Sequence, residues 1–467
     1  MRRAGLALLG LVAGLLAAEA PAAPLSLNDV LDSVERHPKL IAAEAALAAA
    51  DGEALAAEGA FDPTVGGFFG GRPLGYYDQL VAGASLEWDS PLWGLGVEGG
   101  WRRGVGDFAT YEGKDETTPG GELFVALSVP LLKDGPMDEE RAERLAARAR
   151  RDGASARRDA RWLDLIAEAE GAYWSWAAKA RRLAISEEML GLATTRAAGL
   201  QRSIDEGAVA PVDALEAQRA VLSRQAKLEA ARAKERAAAA KLALYLRDPA
   251  GVPIVASADQ APTLPTLVAE RRLTVDEAAE LAWERRPEGV AWRAAQREAD
   301  ASVRLARAQV LPKVDLKVGA SADLPPFQGA STSLTAPTLD ARLDLEWPTL
   351  MREGRGKLAA SRGKADKVAA DAIYVRDQLA AEVRSLAAAL DAAEARLALA
   401  EQAVEVAAAL TAAEESRFEL GDSDLLIVNL REQSLGMSRK ALAEVRAEVL
   451  ALRASWRALV GSGTLGE

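Results

Sequence analysis

The chain has 467 residues, a formal net charge of −12 and a pI near 5.0, which argues against a nucleic-acid partner, since phosphate binding needs a basic face. It holds no Cys, which removes thiolate catalysis, Cys-ligated zinc, disulfides and a lipidated N-terminal Cys together. Hydrophobic residues make up 49% but aromatics only 5%, a balance that suits thin, closely spaced, Ala-rich helices better than a broad globular core.

Met1 to Ala22 reads as a secretory signal peptide: Arg2 and Arg3, an apolar run from Ala4 to Ala18, then Ala20-Pro21-Ala22. Cleavage after Ala22 puts the mature start near Ala23. No later run approaches the roughly 18 uninterrupted apolar residues that a membrane-spanning helix needs.

Two ordered sets of landmarks follow. Leu25-Ser26-Leu27-Asn28-Asp29 and Leu273-Thr274-Val275-Asp276-Glu277 are capped helix starts. Each is broken by a Pro after a charged stretch, at His37-Pro38 and at Arg286-Pro287. Each then continues as an Ala-rich helix into a Pro-containing β signal, Phe61-Asp62-Pro63-Thr64-Val65 and Val310-Leu311-Pro312-Lys313-Val314. Composition alone does not reproduce that order, so the chain is expected to be a tandem duplication. The first repeat is residues 23–247, a Pro- and Ala-containing linker 248–272, and the second repeat 273–467.

In the second repeat Val314, Leu316, Val318 and Ala320 alternate with polar or small residues. Leu339, Ala341, Leu343, Leu345 and Trp347 alternate with Asp340, Arg342, Asp344 and Glu346. Successive side chains of a strand point to opposite faces. An apolar face carrying Leu339, Leu343 and Leu345, with Trp347 at its end, is expected to meet lipid as part of a transmembrane β-barrel, and the charged face a watery lumen. The first repeat's β region, Thr64 to Val129, is longer and rich in Gly and aromatics. An extra β-hairpin and an enlarged external loop both fit it, and the aromatics read as an interfacial belt in preference to a ligand surface.

Long helical patterns close each repeat. The second has a heptad seam at Leu379, Val383, Leu386, Leu390, Ala393, Leu397, Ala400, Val404 and Ala407, and another from Leu442 to Leu459. Between them Arg417-Phe418-Glu419-Leu420-Gly421-Asp422-Ser423-Asp424 reads as the tip of a helical hairpin. Gly421 takes the left-handed conformation there, and Ser423 or Asp424 caps the next helix. In the first repeat Gly207 matches Gly421, and Pro211 stands at the first turn of the returning helix. About 65 residues of helix span about 100 Å. No constellation looks catalytic: His37 is the only His, and no phosphate-binding loop or nucleophile elbow occurs. The chain is expected not to be an enzyme and to need no cofactor or metal.

The repeat, the Pro-broken first helices, the strand pairs and the Gly-tipped hairpins resemble the TolC-like outer membrane efflux protein family over essentially the whole mature chain. The most specific stretch is Arg417-Phe418-Glu419-Leu420-Gly421 through Asn429-Leu430-Arg431-Glu432-Gln433. Pro130-Leu131-Leu132 and Trp347-Pro348 resemble the family's strand-to-helix passages. The resemblance implies a mainly α-helical protomer of long antiparallel coiled-coil helices with a membrane β-barrel portion, assembled as a homotrimer with a periplasmic helical tunnel. It also implies a passive exit duct for efflux or type I secretion, working with a periplasmic adaptor protein and an inner-membrane transporter. By the same resemblance Arg202, Gly207, Arg417 and Gly421 are expected to be the adaptor-facing tips, and outer-membrane lipid the surroundings of the strands. The family's aperture acids commonly lie six and nine positions after the second-repeat Gly, where this chain has Ile427 and Leu430; the matching first-repeat positions hold Asp213 and Glu216. Glu206 also stands where an apolar residue is usual. The gate candidates are therefore Asp422 and Asp424, with Asp213 and Glu216 as the second pair. The competing reading is a soluble periplasmic coiled-coil scaffold without a barrel, which would have to bury the apolar face from Leu339 to Trp347.

Overall fold

The structure, a computed structural model, describes residues 23–109, 116–205, 211–268, 270, 272–326, 334 and 336–460. The expected leader, Met1 to Ala22, lies outside them. In chain order the elements are α1 (Leu27–Ser33), α2 (Pro38–Gly59), β1 (Thr64–Arg72), β2 (Gln79–Asp89), β3 (Gly96–Gly106), β4 (Glu122–Pro130), α3 (Glu139–Asp205) and α4 (Pro211–Leu242). Then come α5 (Val275–Arg285), α6 (Pro287–Ala308), β5 (Lys313–Asp323), β6 (Thr338–Glu346), α7 (Arg352–Glu419) and α8 (Leu425–Val460). The fold is the expected mainly helical one, with long helical hairpins and an antiparallel sheet. None of the described helices is long and apolar enough to cross a membrane.

The helix starts follow their local chemistry. Ser26 and Thr274 each accept from the backbone N–H three residues on, while Asp29 and Glu277 reach back to the cap, so both begin with a capping box. The long helices α3 (67 residues) and α7 (68 residues) contain no Pro, so nothing interrupts their hydrogen-bond ladder.

The contacts divide the chain into two compact units. The first holds the segments up to His37, from Asp164 to Arg272 and from Leu386 to Ala458. Its core is a set of seams in which small residues let helices approach and a few large ones fill the gaps. Trp176, Leu165, Leu242, Leu390 and Val449 are fully buried. The indole of Trp176 donates to Glu235 at 3.0 Å, so neither polar group is left unsatisfied by burial. Tyr173 donates to the Leu25 carbonyl at 2.8 Å, and burial, with the Asp29 charge behind it, pushes its hydroxyl up to about 12. His37 is buried and stacks on Tyr245 with ring centroids 5.7 Å apart, a packing role. The linker is tied down: the buried Arg453 donates to the Val268 carbonyl at 2.9 Å, to Glu270 at 3.0 Å and to Glu394 at 2.9 Å.

The second unit holds α2, α5, α6, all six strands and the adjoining parts of the long helices. Its helices pack through small residues: a Cβ on Gly153 would meet the Ala294 methyl at 3.6 Å. The six strands form one antiparallel sheet in the order β1-β2-β3-β4-β5-β6. Of the two expectations for the long β region from Thr64 to Val129, the extra hairpin is the one found: among the described residues it holds four strands, β1 to β4, against two, β5 and β6, between α6 and α7. The register of β4 with β5 joins strands far apart in the chain, with Val125 opposite Ala320 and Leu127 opposite Val318.

Candidate functional site: the helical tip and the two-faced sheet

In the first unit, the tip between α7 and α8 is built as the Gly421 spacing requires. Gly421 has φ +79. Its N–H donates to the Phe418 carbonyl at 3.0 Å, and the Asp422 N–H donates to the Arg417 carbonyl at 2.9 Å. This pair of bonds is the Schellman motif, which satisfies the last carbonyls of α7. The apolar contact that usually accompanies it is replaced by charge: Arg417 lies 3.6 Å from the Asp422 carboxylate and donates to its carbonyl at 3.1 Å. The Asp424 carbonyl accepts from Ile427 and Val428, so Asp424 occupies the N-cap position of α8 with its side chain exposed. Ser423 does something else: its hydroxyl donates to the Glu414 carboxylate.

Glu414 is a functional candidate that the charge pattern hid. It is buried, with Arg417 at 3.5 Å and Arg431 at 3.9 Å. One carboxylate thus braces the end of α7, the turn and the first turns of α8. The seam through Ala407 continues in steps of four and three to Thr411 and Glu414, both buried, so a charge standing on a seam position was the available signal.

A second buried charge cluster lies on α3, α4 and α8. The Glu432 carboxylate accepts from Arg196 at 2.5 Å and from Arg224 at 2.7 Å, and Arg224 also donates to the Met189 carbonyl at 2.7 Å. Glu432 is 2% exposed and Arg224 4%. Burial raises the Glu432 carboxyl, and the hydrogen bonds and charges of the two arginines outweigh it, holding it below the usual carboxylate range. Glu432 follows the buried Val428 by four residues, again a charge on a seam.

At the other hairpin, α3 runs to Asp205 and α4 starts at Pro211, while Gly207 and Glu206 lie outside the described residues. Arg202 donates to the Ala198 carbonyl at 3.3 Å, within its own helix. Asp213 falls in the first turn of α4, and Glu216 accepts from Arg219 at 2.7 Å.

In the second unit, the register turns the sheet into two chemically distinct faces. The rung Leu339, Ala320, Val125, Gly99, Leu86, Val65 crosses all six strands, and so does the next rung on the opposite face, Asp340, Gly319, Ala126, Glu98, Glu87, Thr64. Leu343 pairs with Leu316 and Leu345 with Val314, while Asp344 pairs with Asp315. Leu339, Leu343, Leu345 and Trp347 are all exposed. On the polar face glycines leave room for aromatic rings from the neighbouring strand. A Cβ on Gly83 would meet the Phe68 ring at 2.6 Å, and one on Gly100 the Phe124 ring at 2.9 Å.

The model of the outer membrane efflux protein family matches residues 122–246 and 278–462. The chain belongs to that family. It is therefore an outer-membrane channel protein of the TolC-like kind, not an enzyme. No curated protein matches its sequence. Among solved structures, the outer-membrane channel OprN is 17% identical, with 94% of this chain and 90% of that chain covered at a TM-score of 0.62. VceC from Vibrio cholerae is 19% identical, covering 93% and 96% at 0.63. MtrE from Neisseria gonorrhoeae, an outer-membrane channel in its open state, is 16% identical, covering 93% and 88% at 0.62. At these identities the likeness concerns the fold.

Proposed function

We propose that three copies of this chain form a passive exit duct through the outer membrane, which opens when its helical tips engage a periplasmic adaptor and an inner-membrane pump. The observation that carries the reading is the six-strand sheet with one face that is apolar apart from Arg103, towards one end of β3, and one face rich in charge. Strands of nine to eleven residues match the length a tilted strand needs to cross a bilayer. In this reading the apolar face meets lipid and the charged face lines water. The sheet also has two open edges, whose unpaired N–H and C=O groups lipid does not tolerate, so further copies must pair with them. The tandem organisation belongs to the same proposal: residues 23–247 and 273–467 each contribute strands and one helical hairpin.

The adaptor contact is assigned to the tips, at Arg417 and Gly421 in the second repeat and Arg202 and Gly207 in the first. The gate is assigned to Asp422 and Asp424, with Asp213 and Glu216 as the alternative pair. The test of the membrane reading is a matched pair of charge substitutions on β6. Leu343→Arg puts a charge on the lipid face at a cost of about 2–4 kcal/mol near the midplane, and Asp344→Arg puts one on the lumen face. Outer-membrane assembly is read as heat-modifiable oligomer on a gel. Loss in the first variant with retention in the second supports the reading; equal behaviour of the two defeats it.

A further inference from the structure

From the strand count among the described residues and the sheet edges we infer that the barrel is a wide one, of eighteen strands, whose wall includes the β2–β3 hairpin. The inference rests on the three-copy reading above. The internal repeat identifies the additional strands. β1 and β5 each follow a Pro-containing passage from an Ala-rich helix, and β4 and β6 each lead through a second passage into a long helix. That leaves β2 and β3 without counterparts among the described residues between β5 and β6. Two strands per repeat would give four per chain and twelve in a trimer; the six strands among the described residues give eighteen.

Three features place the hairpin in the wall instead of outside it. β2 pairs with β1 along all nine of that strand's residues, and β3 pairs with β4 from Gly96 to Arg102, so the pair is inserted between strands that two-per-repeat symmetry would make neighbours. The apolar rung continues across it through Leu86 and Gly99. Its turn is anchored at the helical end of the sheet: Trp93 and Gly94 take φ +57 and +62, and the Trp93 indole donates to the Pro130 carbonyl at 2.9 Å.

Closure then follows from direction and length. In a sheet whose strands alternate, an even number per chain makes β6 of one copy antiparallel to β1 of the next. Both edge strands are nine residues long. A register shift of one would turn lipid-facing side chains into the lumen, so only even shifts are allowed. With strands about 4.8 Å apart and tilted about 40°, eighteen strands give a backbone diameter of about 36 Å against about 24 Å for twelve. On its polar face the hairpin carries Gly83, Gly96, Gly100 and Gly104 between the charged Glu87, Glu98 and Arg102, so the added wall is a polar one.

The absence of Cys makes the chain suited to the test. In the full chain, Gly67→Cys on β1 is combined in turn with Leu339→Cys, Ala341→Cys, Leu343→Cys and Leu345→Cys on β6, and the detergent-extracted complex is weighed and then oxidised. The expected result is a three-chain mass and a covalent ladder up to trimer for at least one pair. Separately, Gly319→Cys on the polar face of β5 is exposed on whole cells to maleimide polymers of graded size. This is done in the full chain and in a variant lacking residues 74–119, in which β1 would turn directly into β4. The diameter of the largest polymer that reacts should fall by roughly a third or more in the shortened variant. A mass other than three chains removes the trimeric reading itself. A three-chain mass with no ladder for any pair, or with links only within one chain, overturns the eighteen-strand barrel and leaves the trimer standing. An unchanged cut-off in a shortened trimer overturns it too, and if the shortened chain fails to assemble, the ladder in the full chain decides.

Discussion

The tip of α7 and α8 offers a test in which a single torsion angle sets the magnitude. Gly421 stands at φ +79, and a Cβ built on it has nothing within 4 Å, so a substitution there meets backbone strain and no clash. The left-handed conformation costs an ordinary residue about 1–2 kcal/mol. A β-branched one reaches the upper end of about 1–3 kcal/mol, and Asn is the side chain that best tolerates the region. The order of destabilisation should therefore be Asn, then Ala, then Val. The amides of Gly421 and Asp422 report it directly, because each donates one bond of the motif that ends α7. At about 1.4 kcal/mol per tenfold, Gly421→Val should speed their hydrogen exchange by about 5- to 150-fold, with Gly421→Asn near the parent. Amides in β4 and β5 should not change. If the Val and Asn variants exchanged alike, the turn would not depend on the left-handed residue, and the reasoning from Gly421 would be wrong.

Other outcomes follow from buried charge and close packing. Removing Glu432 strands Arg196 and Arg224, so Glu432→Leu should lose about 3–5 kcal/mol of unfolding free energy in denaturant titrations. Because the folded carboxyl is held below its ordinary value of 4.5, its contribution is complete above that pH and disappears as pH falls through the lower folded value. The acid limb of thermal stability should accordingly be shallower in Glu432→Gln than in the parent. In the sheet, a Cβ on Gly100 would lie 2.4 Å from the Ala84 carbonyl oxygen, so Gly100→Val should lower the yield of assembled protein while Gly319→Ala, with 3.9 Å of room, should not.

Much of this architecture is legible in the residues because period and punctuation agree. Leu379, Val383, Leu390, Ala393, Leu397 and Ala407 were expected on a seam and are buried. Ser26 and Thr274 were expected to cap and do. Strand alternation from Leu339 to Glu346 was enough to separate the faces, because the side-chain period in a strand is two whatever its partners are. What escaped was polar chemistry on apolar positions. Glu414, Glu432 and Arg224 belong to seams by spacing, but a charge among many charged neighbours reads as a solvated face until its partner on another helix is known. Ser423 escaped for a related reason: its hydroxyl serves Glu414, nine residues back, and the cap position went to Asp424. The extra hairpin was visible only as a long Gly- and aromatic-rich region, because a glycine covered by a neighbouring ring makes no alternating pattern of its own.

The proposed gate is where these charges would bear on transport. In a three-fold assembly, Asp422 and Asp424 would each occur three times around the tip axis. Like charges brought together in a constriction repel and recruit cations to offset the repulsion. The two acids are not equivalent. Asp422 has Arg417 at 3.6 Å, which cancels part of its field, while Asp424 presents an exposed carboxylate at the start of α8. Cation selectivity in planar bilayers should therefore fall more with Asp424→Asn than with Asp422→Asn. The double variant should lose both selectivity and block by divalent or trivalent cations added from the periplasmic side. Asn keeps the shape and the cap position, so folding is not the variable. The matched control is Asp213→Asn with Glu216→Gln, at the spacing the family commonly uses but on the other hairpin; Glu216 already spends its charge on Arg219 at 2.7 Å. If that control removed the whole effect and the Asp422/Asp424 pair none, the constriction would belong to the first repeat, and the acids beside Gly421 would be helix-end chemistry alone.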